Sequence, residues 1–102
     1  MVSDESIDLE IRLLPPLSNT VRQERIKLTL VKDSTLQSVI HGLTERFGSQ
    51  FRRHLYDDRN QFIPAWVVFI NGRPIHLNRP EALATSVNEG DSISFLLALA
   101  GG

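Results

Sequence analysis

Apolar and polar residues alternate at both ends of the chain and change period in the middle. Near the start, Ile7, Leu9, Ile11 and Leu13 are interleaved with Asp8, Glu10 and Arg12, the period-two signature of a half-buried strand. Pro15-Pro16 ends it, because proline has no N–H to give to a ladder. Leu17 to Arg25 is polar and reads as a connection. Ile26, Leu28 and Leu30 then alternate with Lys27 and Thr29 as a second strand, paired with the first in a long-looped hairpin. Beyond Asp33-Ser34-Thr35, which offers capping side chains, the period lengthens. Leu36, Val39, Ile40, Leu43 and Phe47 recur every three or four residues and predict a helix with one apolar face. Gly48 suits its end.

The second half is more broken. Residues 49–63 carry Phe51, Leu55 and Phe62 among Arg52, Arg53, Asp57, Asp58, Arg59, Asn60 and Gln61, predicting a helical extension or second short helix followed by a mobile loop. Trp66-Val67-Val68-Phe69-Ile70 is a buried strand by composition. Asn71-Gly72 marks a tight hairpin turn that returns through Arg73 to Leu77. Pro80-Glu81-Ala82-Leu83 suggests one helical turn, and Asn88-Glu89-Gly90-Asp91 a turn before the alternating strand of Ile93, Phe95 and Leu97. One amphipathic helix must bury its stripe on one sheet face, which predicts a two-layer α+β domain.

Composition excludes several classes. With 102 residues the chain is one domain with a core of useful size, and a formal charge of −1 argues against a nucleic-acid or membrane-surface binder. Its densest basic stretch, Arg46, Arg52, Arg53 and Arg59, is interrupted by Asp57 and Asp58. The absence of cysteine removes disulfides, thiolate ligands and a cysteine nucleophile. No signal-peptide pattern opens the chain and no apolar run is long enough to span a bilayer, so a cytoplasmic location is expected.

The candidate chemistry sits at the other end. Ala100-Gly101-Gly102 follows directly on the last strand. Glycine has no Cβ to obstruct entry into a narrow site, and a free α-carboxyl is ionised at neutral pH. Such a carboxylate can attack the α-phosphate of ATP and give an acyl-adenylate open to sulfur or amine nucleophiles. The alternative is a frayed end of no consequence. Elsewhere, His41, His54 and His76 are scattered, Asp57-Asp58 lacks a positioned acid–base partner, and no phosphate loop or metal-spacing cluster is present. Arg22, Arg25 and Lys27 read as a solvated strand edge, with docking of an acidic partner as the alternative.

Three segments together, Val67-Val68-Phe69-Ile70-Asn71-Gly72, Asn88-Glu89-Gly90-Asp91-Ser92-Ile93-Ser94-Phe95 and Ala100-Gly101-Gly102, resemble the ubiquitin-like β-grasp superfamily. The likeness is to its MoaD/ThiS-like sulfur-carrier branch, archaeal small modifiers included. The resemblance implies a mixed sheet of four to five strands packed on one main helix, spanning residues 1–98, with 49–63 as an insertion or an extended loop or helix and 99–102 as a projecting tail. It also implies a carrier protein rather than an enzyme, although it could be the small subunit of a synthase such as molybdopterin synthase. Gly102, preceded by Gly101, would be adenylylated by a ubiquitin-activating-like adenylyltransferase and converted to a thiocarboxylate by a persulfide protein. The sulfur would pass to a synthase or other acceptor in molybdopterin, thiamine or tRNA-thiolation biosynthesis. ATP would belong to the activating enzyme, and this chain would bind neither cofactor nor metal. Leu96, Leu99 and Ala100 are the expected partner-binding residues. Conjugation of Gly102 to lysines, as a protein modifier, is the alternative; a non-reactive interaction domain is a third reading. Period-two alternation puts Leu96 on the sheet face opposite the helix, where an apolar patch would serve docking unless residues 49–63 fold over it.

Overall fold

The computed structural model describes residues 5–97. Strand β1 (Ser6–Leu13) leads through a short helix α1 (Leu17–Val21) to β2 (Arg25–Val31). Helices α2 (Leu36–Phe47) and α3 (Ser49–Leu55) follow, then β3 (Trp66–Ile70), β4 (Arg73–His76), a 3-10 turn at Ala82–Ala84 and β5 (Ser92–Leu97). The strands form one five-stranded sheet in the order β2-β1-β5-β3-β4. Only β1 and β5 run parallel; every other neighbouring pair is antiparallel. The last strand in sequence is therefore the central one in space.

Alternation sends Ile7, Leu9, Ile11, Leu13, Ile26, Leu28, Val68, Ile93 and Phe95 to the inner face. There they form one core with Leu36, Val39, Ile40 and Leu43 of α2. The predicted stripe is thus the buried stripe, with Phe47 at its margin. Helix α2 starts at Thr35, whose backbone N–H donates to the Ser38 hydroxyl at 3.3 Å, and stops at Gly48, where φ is 79°.

One expectation needs correction and another gains detail. The polar connection between the first strands contains α1, because Leu17 and Val21, one turn apart, suffice to anchor a short helix, and Leu17 is fully buried. The segment 49–63 holds the expected second short helix, α3, and that helix is packed into the inner layer. Phe51 and Leu55 are fully buried, and the Phe51 ring meets Phe95 edge-on at 6.2 Å. Beyond α3, Tyr56 bridges to Phe62 with their rings stacked at 4.5 Å. The Arg52 guanidinium lies 4.2 Å from the Tyr56 ring centre and donates to Asn60 Oδ1. Asp57 closes the loop by accepting from the N–H groups of Arg59 and Gln61 at 2.8 and 3.0 Å.

Candidate functional site

Strand β5 is held on both sides over most of its described length. Its first residues pair with β1, from Glu10 opposite Ser92 to Leu13 opposite Phe95, and Leu14 N–H still reaches the Phe95 carbonyl at 3.3 Å. On the other side the β3 ladder continues through Leu96 opposite Val67 and Leu97 opposite Trp66. The described chain ends there. Leu99, Ala100, Gly101 and Gly102 lie outside the described residues.

The turns that carried the resemblance set this register. Asn71 and Gly72 have φ of 51° and 87°, the left-handed backbone that a two-residue hairpin turn needs. The Asn71 side-chain amide donates to Asp91 Oδ1 at 2.8 Å, and its carbonyl oxygen accepts from Ser92 N–H at 2.9 Å. Asp91 Oδ2 accepts from Asn88 N–H at 2.8 Å. The same turn is tied to β1, since Glu10 N–H donates to the Asp91 carbonyl at 3.0 Å and Gly90 N–H to the Asp8 carbonyl at 2.9 Å. These polar residues fasten the start of β5 between its neighbours, about 17–20 Å of strand away from the end that carries the tail. Their role is architectural.

The outer sheet face is divided. Leu96 lies on it, as expected, with Val67 and Phe69 beside it. All three, and the half-buried Leu14 at the end of β1, stand apart from the core cluster. Residues 49–63 pack on the inner face rather than over this patch, in which Leu14, Phe69 and Leu96 are half-buried and Val67 is buried. Leu14 was the member sequence reasoning missed; its even spacing from Arg12 was the available signal. Toward β2 the face becomes charged. Glu10 lies opposite Lys27, but Arg12 lies opposite Arg25, a like-charge cross-strand pair that costs stability. Neither arginine has a carboxylate within salt-bridge distance among the described residues. Lys27 is paired with Asp8 at 3.6 Å. The Asp8 carboxyl is held below the ordinary aspartate range, chiefly by the Thr29 hydroxyl, which donates to it at 2.7 Å, with Lys27 adding a smaller pull against some desolvation.

The histidines do not converge. His41 is exposed beside Glu45, His76 lies exposed on β4, and His54 bonds Thr20 Oγ1 through Nε2 at 2.7 Å while its carbonyl accepts the Trp66 indole N–H. Among the described residues no cluster of three His, Cys, Asp or Glu is placed to hold a metal, and no helix is long and apolar enough to cross a membrane.

No protein-family model matches the chain, and no curated protein matches it by sequence. Solved structures do match. The small archaeal modifier protein 1 of Haloferax volcanii superposes with a TM-score of 0.78 at 15% identity, covering 91% of this chain and 99% of its own. The HVO 2177 protein of Haloferax volcanii gives 0.76 at 24% identity, over 100% and 92%. A putative molybdopterin converting factor, subunit 1, from Pyrococcus furiosus gives 0.65 at 12% identity, over 91% and 99%. The chain has the ubiquitin-like β-grasp fold that these proteins share.

Proposed function

We propose that the chain is a sulfur carrier whose working group is the Gly102 carboxylate. An ATP-dependent adenylyltransferase activates it: the carboxylate attacks the α-phosphate of ATP, pyrophosphate leaves, and a Gly102 acyl-adenylate results. A persulfide sulfur on a second protein attacks the acyl carbon and expels AMP. Reductive cleavage of the resulting acyl disulfide by a thiol then leaves the terminal thiocarboxylate. The carrier delivers that sulfur to a cofactor precursor or a tRNA base held by a separate synthase.

One observation supports this reading above the others: the strand preceding Ala100-Gly101-Gly102 is the central strand of the sheet, fastened on both sides. Residues 98–102 can carry the carboxylate no more than about 17 Å beyond it, so a partner must dock close to the sheet to reach Gly102. The half-buried Leu14, Phe69 and Leu96, grouped around the buried Val67, supply an apolar surface for that docking, and the uncompensated Arg12 and Arg25 suit a partner with an acidic rim. Leu99 and Ala100 would enter the partner with the tail. The chain itself supplies neither nucleotide nor metal.

The second reading, conjugation of Gly102 to lysines of other proteins, is favoured by the fold shared with an archaeal modifier. The two diverge only after activation. Intact mass of the protein from its native host separates them. A gain equal to exchanging one oxygen for sulfur supports the carrier, and a ladder of adducts lost on deleting Gly102 supports the modifier. An unmodified terminus, with unaltered growth after deletion of Gly101-Gly102, refutes both.

A further inference from the structure

Of the five asparagines in the chain, only Asn71 is followed by glycine. The main-chain nitrogen after an asparagine can attack its side-chain amide, and a side chain on the following residue hinders that approach. Gly72 has none. Its N–H has no hydrogen-bond partner among the described residues, and both residues are exposed at the tip of the β3–β4 hairpin. The pair thus combines an unhindered, unengaged nucleophile with access to water.

The folded turn holds this pair out of reacting geometry in two ways. The succinimide ring formed by the attack contains Asn71 Cα, Cβ, Cγ and main-chain carbonyl carbon together with the Gly72 nitrogen. Cβ and that nitrogen must therefore lie nearly eclipsed about the Cα–C bond. Asn71 is left-handed, with φ of 51°. At the ψ usual for that region, about +47°, Cβ and the next nitrogen stand on opposite sides of the bond. The side chain is also tied away: Nδ2 donates to Asp91 Oδ1 at 2.8 Å, and Oδ1 accepts from Ser92 N–H at 2.9 Å. Asp91 is itself buried and fixed, accepting from Asn88 N–H at 2.8 Å through its other oxygen. Cyclisation has to wait until the turn opens and the side chain leaves Asp91.

We propose that Asn71-Gly72 is a deamidation site whose rate is set by release of the Asn71 side chain from Asp91. On release, the Gly72 nitrogen loses its proton and bonds to Asn71 Cγ. The bond from Cγ to the amide nitrogen breaks, and that nitrogen takes up a proton and departs as ammonia, leaving the succinimide. Water then adds at either ring carbonyl. One opening leaves aspartate at position 71, and the other leaves isoaspartate, with the main chain running through Cβ and Cγ. Neither product restores the tie. Aspartate puts a carboxylate oxygen where Nδ2 stood, 2.8 Å from Asp91 Oδ1, and two carboxylates sharing a site resist joint ionisation. Isoaspartate lengthens the main chain of a two-residue turn between the paired Ile70 and Arg73. Deamidation is a one-way loosening of the hairpin and of the start of β5, by chemistry independent of Gly102.

The test incubates the full chain at mildly alkaline pH and follows each asparagine by peptide mapping. Exchange of an NH2 for an OH marks the site, and retention separates aspartate from isoaspartate. In guanidinium chloride Asn71 should be the fastest of the asparagines. In the folded chain it should react about tenfold or more slower than in the denatured one. Asp91→Ala should raise the folded-state rate about tenfold, and Asp91→Asn, which keeps a neutral acceptor, should raise it less. Val39→Ala loosens the core at a buried α2 position and should leave the rate nearly unchanged, which separates opening of the turn from unfolding of the domain. The deamidated chain should show shifted amide resonances at Asn88 and Ser92. Equal rates in the folded and denatured chains, or an Asp91→Ala rate no higher than that of the unaltered chain, would overturn the proposal. So would acceleration by Val39→Ala as large as that by Asp91→Ala, or Asn88 and Ser92 amides that stay in place after deamidation.

Discussion

Asp91 is the sharpest place to separate architecture from chemistry. Replacing it with alanine removes the acceptor for the Asn71 side-chain amide and for Asn88 N–H, both at 2.8 Å. Hydrogen bonds to a charged acceptor contribute about 1.5–3 kcal/mol each, but Asn71 and Asn88 are exposed, so water can take over part of the lost bonding. The net cost should be about 2 kcal/mol for Asp91→Ala and about 1 kcal/mol for Asp91→Asn, which keeps one carbonyl acceptor. Urea unfolding followed by Trp66 fluorescence is the assay, because Trp66 is the only tryptophan and is almost fully buried. With a urea slope of about 1–3 kcal/mol per molar, the alanine midpoint should fall by roughly 0.7–2 M. A double-mutant cycle with Asn71→Ala should show coupling of about 0.5–1.5 kcal/mol. A loss below about 0.5 kcal/mol, within the range of ordinary surface substitutions, or zero coupling would refute the view that these turns fasten β5.

Phe51→Ala should cost about 3–5 kcal/mol and lower the melting temperature by on the order of 15 °C; a shift of only a degree or two would mean that α3 does not belong to the core. Phe69→Asp and Leu96→Arg replace half-buried side chains and should lower the melting temperature by about 5–10 °C while leaving the chain folded, yet reduce adenylylation by the proposed activating enzyme about tenfold or more in kcat/KM. Equal activation of both variants would remove the outer face from the docking surface. The Asp8 carboxyl should titrate in NMR below the ordinary aspartate value, and Thr29→Val should move it upward. Because its folded-state pKa is depressed, its stabilisation is present above the unfolded value and is lost as pH falls through the folded one. An unshifted Asp8 titration would contradict the geometry.

Wherever one periodicity ran cleanly, the sequence was a sufficient guide. The strands of Ile7–Leu13 and Ile26–Leu30 and the stripe from Leu36 to Phe47 each bury one side, and their spacing says so directly. Residues 49–63 showed a short helix but not its packing, because Phe51 and Leu55 are only two apolar positions among many charges, and their burial depends on a distant strand that brings Phe95 against Phe51. The loop-closing role of Asp57 was not legible because its partners are backbone N–H groups, which leave no mark in composition. Leu96 could be assigned to the outer face by parity alone. Its neighbours Val67, Phe69 and Leu14 needed the strand order, which no local pattern encodes. The like-charged Arg12 and Arg25 likewise become neighbours only through register.

The parallel pairing of β1 with β5 has a mechanical side. A partner that grips the tail pulls β5 along its own axis. When the opposing force enters through the amino-terminal side of β1, the ladder between these strands is loaded in shear. Its hydrogen bonds then share the load together, whereas a hairpin pulled from its open end parts one bond at a time. The fold can thus bear a pull on its last strand without the domain unzipping behind it.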